Sequence, residues 1–168
     1  MIEKYTEKLK ELLGQDLVIQ CQLYGEYKPL HIYNLVYIKD LPRGLKFRVI
    51  NVEGIVISKF ELAQMLGCCG ICISTGTYVN PDFRGKGVNS LLNNFRIDIA
   101  KHLGYGLLMC TDLKSNAPQM KTLDKNGWKH IHEFKNPRTG NILNVTIKEL
   151  WEKLIKNLKV IKQELNKK

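Results

Sequence analysis

Apolar residues recur every three to four positions in several segments of the chain, which is the spacing of one face of an α-helix. The pattern predicts four helices, over residues 2–13, 87–103, 117–125 and 149–168. Gly14 and Gly104 directly follow the first two, as expected at helix ends. The last segment carries a continuous apolar stripe with lysines outside it, which indicates packing against the core or against a second copy in a homodimer.

Between the helices lie short segments rich in Val, Ile, Tyr and Phe, separated by Gly, Pro and Asn. They predict strands over residues 16–23, 30–38, 45–52, 55–60, 70–79, 107–111, 128–134 and 142–148. Two of these flank the helix over 87–103 and form a βαβ unit with it, so they are expected to lie parallel. The last two predict a hairpin across the turn NPRTGN. The predicted fold class is α/β with a mixed central sheet, in a single domain spanning residues 1–168.

The charge of the chain is strongly basic and unevenly distributed. Residues 101–168 hold 14 Lys+Arg against 6 Asp+Glu, which is +8 of the total +10. Such an excess favours an anionic partner, either nucleic acid, an acidic protein surface or a phosphorylated cofactor, and a solvated basic face is the alternative. The apolar runs are shorter than the roughly 20 residues that cross a bilayer, and the N-terminus is charged, so we expect no membrane segment and a cytoplasmic location.

Cysteine and histidine do not have the spacing of a metal site. The five cysteines are odd in number and lack a disulfide pattern, so reduced thiols are expected. Cys69 and Cys72 form a CxxC within an apolar strand, but no second pair follows it. His130 and His132 are predicted on one face of a hairpin strand, which allows a shared site but is more typical of a surface pair. We therefore predict no metal site.

The junction between the strand over 70–79 and the helix over 87–103 has the composition of a phosphate-binding site. Its residues are Arg84, Gly85, Lys86 and Gly87. A helix start leaves about four N–H groups unpaired and carries partial positive charge, and glycine lets a phosphate approach those donors. A P-loop is excluded because Val88 follows Gly87, and the dinucleotide-binding fingerprint GxGxxG is only half present. A ligand bearing a pyrophosphate is predicted, and a glycine turn with solvent-facing basic residues is the alternative.

The same junction resembles the acyl-CoA-binding motif VxPxxRGxGxxxxLL of the GCN5-related N-acetyltransferase (GNAT) superfamily. The matching residues are Val79, Pro81, Arg84, Gly85 and Gly87, and the leucine pair Leu91 and Leu92 follows one position earlier than in the motif. Downstream the family commonly reads NxxAxxxYxKxGF, which is matched here by Asn116, Lys125, Gly127 and Trp128. Together the two motifs cover about residues 70–148, and the helix over 149–168 would be an addition at the C-terminus.

The resemblance implies a GNAT-like fold whose two parallel strands splay apart, and an enzyme that transfers an acetyl group from acetyl-CoA to an amine. The backbone of Thr77, Tyr78 and Val79 would bind the pantetheine arm. The amides of the junction would bind the pyrophosphate; these residues are Arg84, Gly85, Lys86, Gly87, Val88 and Asn89. Asn116 would contact the cofactor further along. Gly76 within the strand independently indicates a bulge or a close approach of another group.

Three positions depart from the family pattern: Asn89 replaces Gly or Ala, Gln119 replaces Ala, and Leu123 replaces the tyrosine that protonates the leaving thiolate. The catalytic residues therefore stay unassigned. The candidates for a base are Asp112, with Glu53 and Glu61 more distant, and for an acid Tyr78, Tyr105 and Cys110.

Two other functions remain open alongside the acetyltransferase: a non-catalytic GNAT-fold module that binds nucleic acid or protein, and a GNAT-like modifier of nucleic-acid bases. The basic C-terminal part favours an amine acceptor on an acidic protein or a nucleic acid.

Overall fold

The computed structural model describes residues 2–22, 28–29 and 44–151. The helices are α1 (Ile2–Leu13), α2 (Val88–His102) and α3 (Ala117–Lys125). The strands are β1 (Leu17–Gln22), β2 (Lys28–Pro29), β3 (Leu45–Asn51), β4 (Val56–Met65), β5 (Cys68–Val79), β6 (Leu107–Leu113), β7 (Lys129–Lys135) and β8 (Ile142–Glu149). They form one sheet in the order β2-β1-β3-β4-β5-β6-β8-β7. Within this part of the chain, no helix has the length and apolar character to span a bilayer.

The topology confirms the mixed α/β sheet, the βαβ unit and the C-terminal hairpin. β5 and β6 are parallel, and every other neighbouring pair of the described strands is antiparallel. The strand predicted over 30–38 lies outside the described residues, as does the predicted C-terminal helix from residue 152 onward. That prediction began the helix too early, because Glu149 pairs with Leu107 as the last residue of β8.

The parallel strands separate towards their carboxyl ends. Backbone pairing between β5 and β6 ends at Ile73 and Met109, although β5 continues along β4 and β6 continues along β8. Just beyond this point β5 contains a bulge, because its register with β4 shifts by one residue. Gly76 lies in the bulge with φ of +61°, a backbone conformation that glycine adopts without steric cost. Both the bulge and the splayed strands were predicted.

The hairpin strand β7 contradicts one prediction. A second bulge, at Ile131, pairs His130 with Thr146 and His132 with Val145. Neighbouring residues of β8 face opposite sides of the sheet, so the two imidazoles do not share a face. The ring nitrogens of His130 lie 3.0 Å from the Thr146 hydroxyl and 3.0 Å from an Asp124 carboxylate oxygen, which gives this histidine a structural role.

Four aromatic rings join the helices to the sheet. The ring of Phe95 in α2 lies 4.8 Å from that of Tyr5 in α1 and 6.0 Å from those of Phe47 and Phe60 in the sheet, measured between centroids. The Tyr5 hydroxyl also donates to Asp98 of α2 at 2.6 Å. Burial, and then this hydrogen bond, raise the pKa of Tyr5, so its hydroxyl remains a neutral donor. α1 is thus fixed to α2 by a ring contact and a hydrogen bond.

We expect Tyr5→Phe to lower the free energy of unfolding by about 1–2 kcal/mol, because it removes a hydrogen bond to a charged acceptor. Urea unfolding at pH 7 measures the difference. Tyr78→Phe is the matched control, since Tyr78 is 38% exposed and should change by less than about 0.5 kcal/mol. Equal values for the two variants would contradict the prediction.

Candidate functional site

A cleft of about 680 Å³ opens where β5 and β6 diverge. It is bounded by the end of β5, the junction that follows, and the first turns of α2 and α3. Its lining comprises Thr77, Tyr78, Val79, Phe83, Arg84, Gly85, Gly87, Val88, Asn89, Ser90, Asn116, Pro118, Gln119 and Thr122. Nine of the ten residues predicted to bind a cofactor are in this set. The exception is Lys86, whose ammonium lies 5.3 Å from the centroid of the Phe83 ring.

Five lining residues were not predicted: Phe83, Ser90, Pro118, Gln119 and Thr122. Ser90 adjoins the predicted residues of the junction, and helix periodicity places Gln119 one turn after Asn116. That spacing was the signal available in the sequence.

The junction holds its shape by local hydrogen bonds. Asn80 caps the 3-10 turn over Pro81–Phe83 by accepting from the Asp82 N–H at 3.2 Å. The Arg84 guanidinium then donates through Nε to the Val79 carbonyl at 3.0 Å, which keeps this cation beside the end of β5. Gly85 and Gly87 have φ of +74° and +81°, so both need the conformational freedom of glycine. The basic, glycine-containing junction is therefore held in a defined backbone conformation by its own hydrogen bonds.

The first turns of two helices face the cleft. α2 begins after Gly87, which provides no side-chain cap, so the N–H groups of Val88, Asn89 and Ser90 have no acceptor within the helix. α3 begins at Asn116, whose side chain accepts from the Gln119 N–H at 3.3 Å. Helix starts carry partial positive charge, and the single charged residue in the lining is Arg84. The cleft is therefore suited to an anion.

A buried arginine lies behind the lining. Arg96 is 2% exposed and donates through Nη1 to the hydroxyls of Ser74 at 3.3 Å and Thr77 at 2.6 Å. Burial lowers the pKa of the Arg96 guanidinium to about 10, and nearby Cys110 and Asp112 act in the opposite direction. It therefore remains a cation at neutral pH. Sequence reasoning missed this residue, because an arginine in an amphipathic helix usually faces solvent.

The candidate catalytic residues are only partly brought together. Tyr78 lines the cleft, whereas Asp112 and Cys110 are buried next to it, with the Cys110 thiol 3.3 Å from an Asp112 oxygen. Burial, reinforced by Asp112, raises the pKa of Cys110 and keeps the thiol protonated. Leu123, at the position of the family tyrosine, is fully buried and offers no acidic hydrogen. Tyr105, Glu53 and Glu61 are not among the lining residues.

No protein-family model matches the sequence, and no curated protein matches it. Solved structures do match. The structure of yncA from Salmonella typhimurium with its cofactor acetyl-CoA has a TM-score of 0.55 at 18% identity, over 64% of this chain and 65% of that one. An acetyltransferase of the GNAT family from Bacillus anthracis has a TM-score of 0.55 at 18% identity, over 62% and 66% of the two chains. An IAA acetyltransferase from Bacillus cereus reaches 0.58 at 18% identity, over 80% and 100%.

This chain spans less than two-thirds of the length of the Salmonella and Bacillus anthracis proteins. At identities this low, the similarity establishes a common fold. The mixed α/β sheet is the fold that this chain shares with these proteins.

Proposed function

We propose that this chain, which has the fold of the GCN5-related N-acetyltransferases, binds acetyl-CoA in the cleft and transfers its acetyl group to an amine. One observation carries the proposal. Residues selected by a sequence motif at the junction, and Asn116 from a second motif, line a single cleft at the splayed end of the parallel strands. Such an edge of an open α/β sheet is where ligands usually bind.

The polarity of the cleft matches the parts of the proposed ligand. The uncapped start of α2 and the Arg84 guanidinium would bind the pyrophosphate. The end of β5 would bind the pantetheine arm, which is an extended chain with amide groups. Two carbonyls there already accept from the protein, that of Val79 from Arg84 and that of Tyr78 from the Ser58 hydroxyl. Backbone N–H groups of this segment would then be the main contacts for the arm.

The proposed reaction needs few side chains. A neutral amine attacks the thioester carbonyl, the new C–N bond forms, the C–S bond breaks and CoA leaves as the thiolate, which takes up the proton released by the nitrogen. Since Leu123 supplies no acid, we propose that solvent completes this proton transfer. The amine itself must lose a proton before attack, because an ammonium has no lone pair.

The acceptor class follows from charge. A chain with a net charge of +10 repels small polycations and attracts polyanions. We propose an amine presented by an acidic protein or by a nucleic acid as the acceptor, in the cytoplasm.

The test combines binding and transfer. Acetyl-CoA should raise the melting temperature of the full chain, whereas acetyl-pantetheine, which lacks the phosphates, should not at equal concentration. Isotope-labelled acetyl-CoA is then incubated with the protein and with mixtures of proteins, nucleic acids and small amines, and mass spectrometry identifies labelled products. Absence of stabilisation by acetyl-CoA would overturn the proposal.

One alternative has its own support. Leu123 removes the usual acid and Asp112 is engaged in hydrogen bonds, as expected for a GNAT-fold module that binds without turnover. Stabilisation by DNA or RNA but not by acetyl-CoA would favour that module. A labelled nucleic-acid base would instead favour a base modifier.

A further inference from the structure

Four side chains form a continuous hydrogen-bonded chain beside the cleft. Arg96 Nη2 lies 3.5 Å from Asn89 Oδ1, a long hydrogen bond. Asn89 Nδ2 donates to Gln119 Oε1 at 2.7 Å, and Gln119 Nε2 donates to Asp112 Oδ1 at 3.3 Å. We call these residues the amide relay.

The charged residues at the two ends of the amide relay, Arg96 and Asp112, fix the donor and acceptor of every hydrogen bond in it. A guanidinium can only donate, so the Asn89 atom facing Arg96 must be its oxygen. The Asn89 amide nitrogen is then left to donate to Gln119. A carboxylate can only accept, which requires the Gln119 nitrogen to face Asp112. The two amides therefore connect a cation to an anion with one consistent orientation.

The amide relay spans the gap between the diverging strands. Arg96 binds the β5 side through Thr77, and Asp112 belongs to β6 beyond its last pairing with β5. Both charged residues are buried, at 2% and 7% exposure. The two amides that join them come from the first turns of α2 and α3 and line the cleft. Side chains thus replace the missing backbone hydrogen bonds across the opening.

The two amides also lie at positions that depart from the family pattern. The family usually has Gly or Ala at the position of Asn89 and Ala at the position of Gln119. A change at either position alone would remove one hydrogen bond from a buried charged side chain, which is costly. That these two departures contact each other indicates that they act as one unit.

We propose that the Asn89–Gln119 pair is a positioning element that sets the distance between the starts of α2 and α3, and with it the affinity for the pantetheine arm. This inference rests on the proposed function. A ligand that reaches from the start of α2 along β5 to Asn116, which also lines the cleft, needs both helix starts in place. A ligand that contacts the start of α2 alone does not.

The test is a double-mutant cycle on the full chain, with the variants Asn89→Ala, Gln119→Ala and the double variant. Each single change should raise the Kd for CoA about tenfold, and the double change should raise it no further, instead of the hundredfold expected for independent residues. ADP, which has the pyrophosphate but no pantetheine arm, should bind all variants within about twofold of wild type. Isothermal titration provides each Kd.

Asn94→Ala is the matched control, because Asn94 is an exposed residue of α2 and undergoes the same chemical change. It should leave both affinities unchanged. Additive effects of the two single changes, or equal losses for CoA and ADP, would overturn the inference. If wild type binds neither ligand, the proposed function itself fails.

Discussion

Ser90→Asp is expected to raise the Kd for CoA at least about a hundredfold without destabilising the protein. Ser90 lies in the first turn of α2 and lines the cleft. A carboxylate there would occupy the position of the pyrophosphate and repel it. The same carboxylate interacts favourably with the helix dipole, which contributes about 0.3–1 kcal/mol to stability. The substitution should therefore weaken CoA binding while leaving the free energy of unfolding equal to or slightly above that of the wild type.

Ser90→Asn separates charge from size in this experiment. Asparagine has the shape of aspartate but no charge, so it should raise the Kd for CoA less than about tenfold. Titration calorimetry gives the affinities and urea unfolding gives the stability of each variant. If Ser90→Asp binds CoA as wild type does, the start of α2 is not an anion site and the proposed function loses its main support.

Phe95→Ala should lower the free energy of unfolding by about 3–5 kcal/mol, the usual range for deletion of a buried aromatic ring. Phe95 has no exposed surface and contacts rings from α1, β3 and β4. Its removal leaves a cavity where both helices meet the sheet. A loss of this size is a large part of the roughly 5–15 kcal/mol that stabilises a typical domain.

Phe134→Ala is the matched control for that truncation. Phe134 is 37% exposed on the edge strand β7, so its removal should cost about 1 kcal/mol or less. Urea unfolding curves of the two variants give the comparison. Similar losses would mean that the four-ring cluster is not a centre of stability.

Much of the fold could be predicted because the spacing of apolar residues within a segment agrees with the helix or strand that the segment forms. Leu92, Phe95 and Ile99 of α2 recur at helical spacing, and all three are buried. The junction could be predicted because its glycines and basic residues are contiguous in sequence. The ligands of such a site are mostly backbone groups of one short segment, so no long-range information is required.

Features that depend on pairing between segments far apart in the sequence were predicted less accurately. β4 was expected to end at residue 60, but it extends to Met65 because β5 pairs with it. Residues 61–65 contain Glu, Ala, Gln and Met, which have weak strand propensity, and tertiary pairing overrides that preference. The amide relay was missed for a related reason, since its four residues come from three separate elements.

The short register between β5 and β6 has a mechanical consequence. Among the described strands, three residue pairs of β5 and β6 join a group of five strands to a group of three. α3 follows β6 in the chain, so a molecule held between the end of β5 and the start of α3 would bridge the two groups. Such a bound molecule would restrict the relative motion of the two groups of strands. Part of the stiffness of the complex would then come from the ligand and not from the protein alone.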